Sequence, residues 1–458
     1  MTVAAAVPST RAAEAAAPEA ARRPGGRLLA LDGLRFLAVL LVVVYHYVAF
    51  GSDWGRPRAE LFPVLYRPAA YGWMGVQLFF LISGFVICLS CWGRSLADFL
   101  SSRVVRLFPA YWFAVLLTTA VLAAVPGGSR PRATRDVLTN LTMMEYPFGA
   151  PYVDGVYWSL WVEGRFYLIF AVVVALGLTY RRVLAFCLLW CAAGVLAMAA
   201  PGEQLLQVLA MPEYCWFFIG GLAFYLIRRF GPDLLLWLLV GFTFLAGCRA
   251  VLPTYRFVAA QAGYPVPEWG VVAVLAVFYL LMAGVALDRF RGVQWRWLAT
   301  AGAVTYPLYL LHEYIGWEVI DTLGNRVDPW LLVGTLLVVM TAASWLVHRF
   351  VERPATRWLK PRLAASFAKV RGVPLPVPRP SVPCPSVPCP SVPCPSVPCP
   401  SGQGPSGQGP SVHGPSTDGP SARRPAAEEP AGVPGEEREP EPAGARAPTA
   451  ARGVGDGR

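Results

Sequence analysis

Apolar residues in this chain fall in blocks of about twenty, separated by short stretches rich in Arg, Pro or Gly. A helix rising 1.5 Å per residue needs about twenty such residues to cross ~30 Å of hydrocarbon. The blocks therefore predict an all-α fold, a polytopic membrane helical bundle of about ten transmembrane helices. The expected spans are 29–50, 73–92, 109–126, 157–178, 183–200, 212–228, 233–252, 269–287, 298–317 and 330–349. Pro212 and Glu213 interrupt the sixth, and Pro307 and His312 the ninth.

Composition agrees with a bilayer as solvent. With 55% hydrophobic residues, 15% charged and 16 Trp, the chain is too apolar for a water-soluble protein of 458 residues. Its formal net charge of +11 comes from arginines grouped at span ends: Arg22, Arg23 and Arg27, then Arg181 and Arg182, Arg228 and Arg229, and the run from Arg349 to Arg362. These lie on the side shared by both termini, so both termini are expected in the cytoplasm. An odd number of spans would break that agreement. The charge is thus topological, with anionic-lipid contact as a further use, and nucleic-acid binding is not expected.

The chain changes character outside the bundle. Residues 1–27 are Ala-rich, lack a signal-peptide layout and are expected to be disordered, as is a low-complexity tail over 363–458; the membrane domain is assigned 28–362. SVPCP repeats four times between Ser381 and Pro400, and two prolines per repeat favour an extended chain that cannot pack a core. Its Cys384, Cys389, Cys394 and Cys399 match no zinc spacing and are expected as free thiols. Cys88, Cys91, Cys187 and Cys191, inside spans, read as small apolar filler, and no metal is expected.

Against this background the ionisable groups inside apolar runs stand out. Arg35 and His46 share the first span. Eleven positions at about 100° each leave them within about 20° of one face and ~16 Å apart along the axis, so one polar pocket can touch both. Arg103 and Arg106 lie three apart before the third span and suit either a phosphate clamp or ordinary anchoring at the membrane surface. The fourth span opens on Trp158, Ser159, Trp161, Glu163, Arg165 and Tyr167, where Glu163 needs a cation or a wet cavity. The ninth carries Tyr306, Tyr309 and His312; Tyr309 reads equally as an interfacial aromatic, and His312 as a hydrogen bond between helices.

Taken in order, LDGLR followed by His46, GVQLFFLISGFVI (Gly75 to Ile87), RVVRLFPAYW (Arg103 to Trp112), WSLWVEGRFYLIF, TYPLYLLH and VERP (Val351 to Pro354) closely resemble the acyltransferase 3 family of integral-membrane O-acyltransferases. The resemblance covers about residues 28–362. It implies a multi-pass plasma-membrane enzyme that moves an acyl group, typically acetyl, from acyl-CoA to a hydroxyl of a carbohydrate, a lipid or a glycosylated natural product such as a macrolide. It also implies that Arg35, His46 and Glu163 are catalytic and that Arg103 and Arg106 bind the acyl-CoA donor. Trp158, Ser159, Tyr309 and His312 are then the expected substrate-binding residues. The chain departs from the family pattern at Gly164, where a second acidic residue is common, and at Arg165.

On this expectation His46 acts as general base on the acceptor hydroxyl, with Glu163 orienting His46 or binding the acceptor; an acyl-histidine intermediate is the rival route. Two other classes stay open. A secondary transporter also buries Arg, Glu and His, but commonly as two repeated halves with broken spans, and no such internal symmetry is visible. A non-catalytic membrane partner would use the Pro-rich tail to dock aromatic grooves.

Overall fold

The computed structural model of the protein describes residues 28–125, 133–262 and 267–370. The expectations of disorder over 1–27 and in the pentapeptide repeats lie outside the described residues. Among the described residues the secondary structure is helical, with no strand, and nine helices are long and apolar enough to cross a membrane.

The first span is α1 (Leu29–Val44), whose last turn widens into a π-helical turn, Tyr45–Ala49. α1 packs on α2 (Gly75–Cys91). Next comes α3 (Leu96–Ala124), started by the Ser95 hydroxyl accepting the Asp98 amide at 3.2 Å. The third span and the arginine-bearing segment before it are thus one helix, which continues through Pro109. α4 (Trp158–Leu176) stops at Gly177, whose φ of +85° suits glycine. α5 (Tyr180–Ala199), α6 (Cys215–Phe230), α7 (Leu234–Ala262) and α8 (Glu268–Ala286) follow.

α6 is buried from Cys215 through Ile227 and, with α2, forms the centre of the bundle. Their approach depends on paired glycines: a Cβ on Gly84 would meet the Phe218 carbonyl at 2.1 Å, and one on Gly221 the Leu81 carbonyl at 2.1 Å. Lipid gives apolar side chains no solvophobic push toward each other, so such backbone contact carries the association. The outward faces are apolar in turn, as with Leu168, Val172 and Leu176 on α4 and Val338 and Val339 near the C-terminal end.

The expected ninth span is not one of the nine membrane-length helices; it is met by two shorter ones, α9 (Trp297–Leu311) and α10 (Glu313–Leu323), which meet at His312. Pro307 removes one amide from the ladder there, and the His312 ring caps carbonyls of the turn behind it, at 3.1 Å to Leu308 and 2.9 Å to Tyr309. α11 (Pro329–Val347) starts at the Asp328 cap. It passes through a second π turn, His348–Glu352, into α12 (Arg353–Val370), so helix continues past the boundary expected at 362. The start of α1 and the body of α12 line one cavity, which places both described ends of the chain at the same end of the bundle.

Candidate active site

Two cavities meet inside the bundle. The wider, about 1200 Å³, opens at the end where α1 begins and is walled by α1, α3, α9 and α12. Arg35, Arg106, Val86, Gly302 and Tyr306 line it and also the narrower one, about 80 Å³, which runs on to Ser159 and Tyr309.

Arg35 therefore stands at the junction, as a basic group inside a span should if a wet path is to offset its burial. The two arginines of α3 divide. Arg106 is exposed and lines both cavities, whereas Arg103 is buried, lines only the narrow one, lies over the Tyr167 ring at 5.2 Å and donates to the Ser90 hydroxyl. Three residues apart on α3, they do not grip one ligand in the wide cavity together.

Glu163 belongs to the narrow cavity. Its Oε1 accepts from the Ser83 hydroxyl at 2.6 Å and from the Tyr167 hydroxyl at 2.5 Å. One turn before it on α4, Ser159 bonds Tyr309 through their hydroxyls at 2.7 Å; one turn after it, Tyr167 faces Arg103. Glu163 thus sits between the arginines and Tyr309; of its two expected parts, orienting His46 or binding the acceptor, the first finds no bond to His46 here. Trp158 turns away, packing 5.5 Å from Tyr214 and 6.4 Å from Phe80, and lines neither cavity.

His46 lies past Tyr309, in the π turn, and is buried. A π turn carries one residue more than an α turn and re-aims the side chains beyond it. Here it brings the His46 Nδ1 to 3.0 Å from the His312 Nε2. The other His312 nitrogen, Nδ1, faces two carbonyl oxygens, which only accept. Hydrogen-bond arithmetic then fixes both rings. His312 carries its proton on Nδ1 and accepts at Nε2, so neutral His46 carries its proton on Nδ1 and keeps a bare lone pair on Nε2. That nitrogen faces the buried Glu313, 3.8 Å from its Oε1.

The surroundings hold this pair still. The Trp317 indole donates to the His46 carbonyl at 2.9 Å, and the Tyr47 hydroxyl to the His312 carbonyl at 2.9 Å. Gly51, at φ +89°, lets Trp317 lie where any Cβ would come within 1.9 Å of the indole. A Cβ on Gly155 would come within 2.6 Å of the Glu313 carboxylate, so the loop before α4 closes directly on it.

Sequence reasoning singled out His312 but passed over its neighbour Glu313, a carboxylate in the same broken apolar run. It also missed Ser83 and Trp317, which carry no pattern of their own. The set holds an imidazole with one ring nitrogen left without a hydrogen bond and a carboxylate beside it, an arrangement that suits proton transfer from a hydroxyl.

A family model described as an acyltransferase domain, acyltransferase 3, matches residues 28–349. The chain is 26% identical to a putative peptidoglycan O-acetyltransferase, YrhL, of Bacillus subtilis, over 71% of this chain and 54% of that protein, so it spans about half of that relative's length. It is 26% identical to the acyltransferase MdmB of Streptomyces mycarofaciens, over 73% of this chain and 92% of the relative. It is also 26% identical to nodulation protein 10 of Rhizobium leguminosarum, over 62% and 82%. No solved structure matches.

Proposed function

The chain belongs to the acyltransferase 3 family, and from that premise we propose that it moves an acetyl group from acetyl-CoA to a hydroxyl of an acceptor presented at the far end of the bundle. The observation that carries this reading is the bare Nε2 of His46, fixed by His312, whose ring lies 5.8 Å from that of Tyr309 in the lining of the narrow cavity.

In the proposed sequence the CoA headgroup occupies the wide cavity, at the cytoplasmic face by the positive-inside rule, with both termini on that side of the plasma membrane. The pantetheine arm enters the narrow cavity past Arg35. The acceptor hydroxyl gives its proton to His46 Nε2 as its oxygen attacks the thioester carbonyl, forming a C–O bond. The C–S bond then breaks, and the CoA thiolate leaves with the proton returned by His46. Glu313, 3.8 Å from His46 Nε2, is the group placed to steady the imidazolium in between. This gives His312 the orienting part that a carboxylate plays in a serine-protease triad. The acceptor is a carbohydrate, a lipid or a glycosylated natural product; YrhL, named for peptidoglycan O-acetylation, supports a surface glycan.

The test is transfer from radiolabelled acetyl-CoA in membranes carrying the protein, with label sought in glycan, lipid and small-molecule fractions. Base-labile ester label absent from control membranes is the expected result. Label that resists mild base, or none above control, would refute O-acyl transfer from this donor.

A further inference from the structure

The basic residues of α12 have no part in the chemistry above, yet they form one wall of the wide cavity. Arg353, Arg357 and Lys360 recur at helical spacing and, with Thr356 and Ala364, line it. All three are exposed, so their charges are available to a ligand.

The start of this wall is anchored. The His348 Nδ1 meets the Glu352 carboxylate at 2.5 Å, and the Arg353 Nε donates to the His348 Nε2 at 3.2 Å. The π turn that joins α11 to α12 is thereby locked to the first turn of the basic face. Further along, among the described residues neither Arg357 nor Lys360 forms an ion pair. The cavity as a whole is lined by six basic side chains (Arg35, Arg94, Arg106, Arg353, Arg357 and Lys360) and by three acidic ones (Asp32, Asp98 and Glu352). Glu352 is engaged by His348, and Asp98 bonds the Ser95 hydroxyl at 2.6 Å. An excess of fixed positive charge around about 1200 Å³ fits a ligand with several phosphates, and far exceeds what an acyl thioester alone requires.

We propose that Arg357 and Lys360 of α12 bind the ribose 3′-phosphate of the donor, the group that distinguishes CoA from 3′-dephospho-CoA. Arg106, at the neck of the narrow cavity, then meets the diphosphate nearer the pantetheine arm. The inference rests on the acyl-CoA reading and adds the residues that recognise the nucleotide end. Guanidinium and ammonium groups on phosphate give charge-assisted hydrogen bonds, each strong enough to shift affinity about tenfold.

The same chemistry would also hold an anionic lipid headgroup, because α12 is a basic helix next to the spans. The experiment separates the two. The full chain is reconstituted in nanodiscs of phosphatidylcholine, with and without phosphatidylglycerol, and binding of CoA and of 3′-dephospho-CoA is titrated. Wild type should bind CoA about tenfold more tightly than the dephospho form in both lipids. Arg357→Ala with Lys360→Ala should bring that ratio close to one, and Arg357→Lys should restore part of it. Arg106→Ala should weaken both ligands alike and preserve the ratio. Equal binding of the two ligands by wild type, or a ratio unmoved by the α12 changes, would overturn the inference while leaving CoA as donor. An α12 effect confined to discs with phosphatidylglycerol would assign the helix to lipid. Binding of neither ligand by wild type would instead overturn the donor reading itself.

Discussion

His46 Nδ1 lies 3.0 Å from His312 Nε2, and this one contact decides which nitrogen of His46 is free to act as a base. The two rings come from helices at opposite ends of the sequence, and each is tied to the backbone around it: His312 to the Leu308 and Tyr309 carbonyls, His46 through the Trp317 bond to its own carbonyl.

Removing His312 should leave His46 in place but free to take the other tautomer. His312→Ala is expected to lower the turnover rate about 10²-fold with little change in the apparent KM for acetyl-CoA, since loss of general-base alignment acts on the chemical step. Steady-state kinetics in vesicles check this. A rise in KM at unchanged turnover would make His312 a ligand for substrate instead.

Glu163 accepts two hydroxyl bonds, and its loss strands both donors in the narrow cavity. Glu163→Ala should destabilise the protein by about 1–3 kcal/mol and impair transfer, while Glu163→Gln, which still accepts a hydrogen bond, should retain most of the stability. Thermal unfolding in detergent, read beside activity, distinguishes the two. Equal losses for Gln and Ala would mean that the negative charge matters more than the acceptor atoms.

Gly51 admits Trp317 against His46. Gly51→Ala would force a Cβ into the indole at a backbone angle that alanine disfavours, and should cost about 1–3 kcal/mol of stability along with most of the transfer activity. Full activity at an unchanged unfolding temperature would show that Trp317 has room to move without disturbing His46.

Outside the spans, Glu145 is buried in the loop ahead of α4, where its carboxyl meets the Tyr111 hydroxyl. Burial raises its pKa above the ordinary carboxyl value, against a smaller opposing pull from the Tyr111 bond. The folded protein then holds this proton more tightly than the unfolded chain. The stabilisation is complete below the unfolded carboxyl pKa and is lost as pH rises through the raised one. Unfolding temperature should fall over that window in wild type and much less in Glu145→Gln. Parallel pH profiles for the two would contradict the assignment.

Much of this was legible in the sequence, for reasons that differ from residue to residue. The spans were legible because twenty apolar residues in a row have one use. The one pocket expected to touch both Arg35 and His46 is not seen: Arg35 lines both cavities, and His46, in the π turn, lines neither. Glu313 was hidden because its meaning depends on a contact across the whole length of the chain. The π turn at Tyr45–Ala49 has no sequence mark, since Tyr, Val and Ala also suit the α-helix that precedes it. The ninth span was marked by Pro307 and His312 as interrupted, and it is, but only the fold shows that the interruption turns an imidazole back onto its own helix. α12 was obscured by Pro361 and by its mixture of Arg and apolar residues, which resembles a connecting segment as much as a cavity wall.

The central claim is that His46 is the base for acyl transfer. The most direct measurement is the initial rate of ester formation from radiolabelled acetyl-CoA by His46→Ala beside wild type, in vesicles with matched amounts of inserted protein. His46→Ala should form ester about 10³-fold more slowly at unchanged CoA binding. Transfer within tenfold of wild type would contradict it.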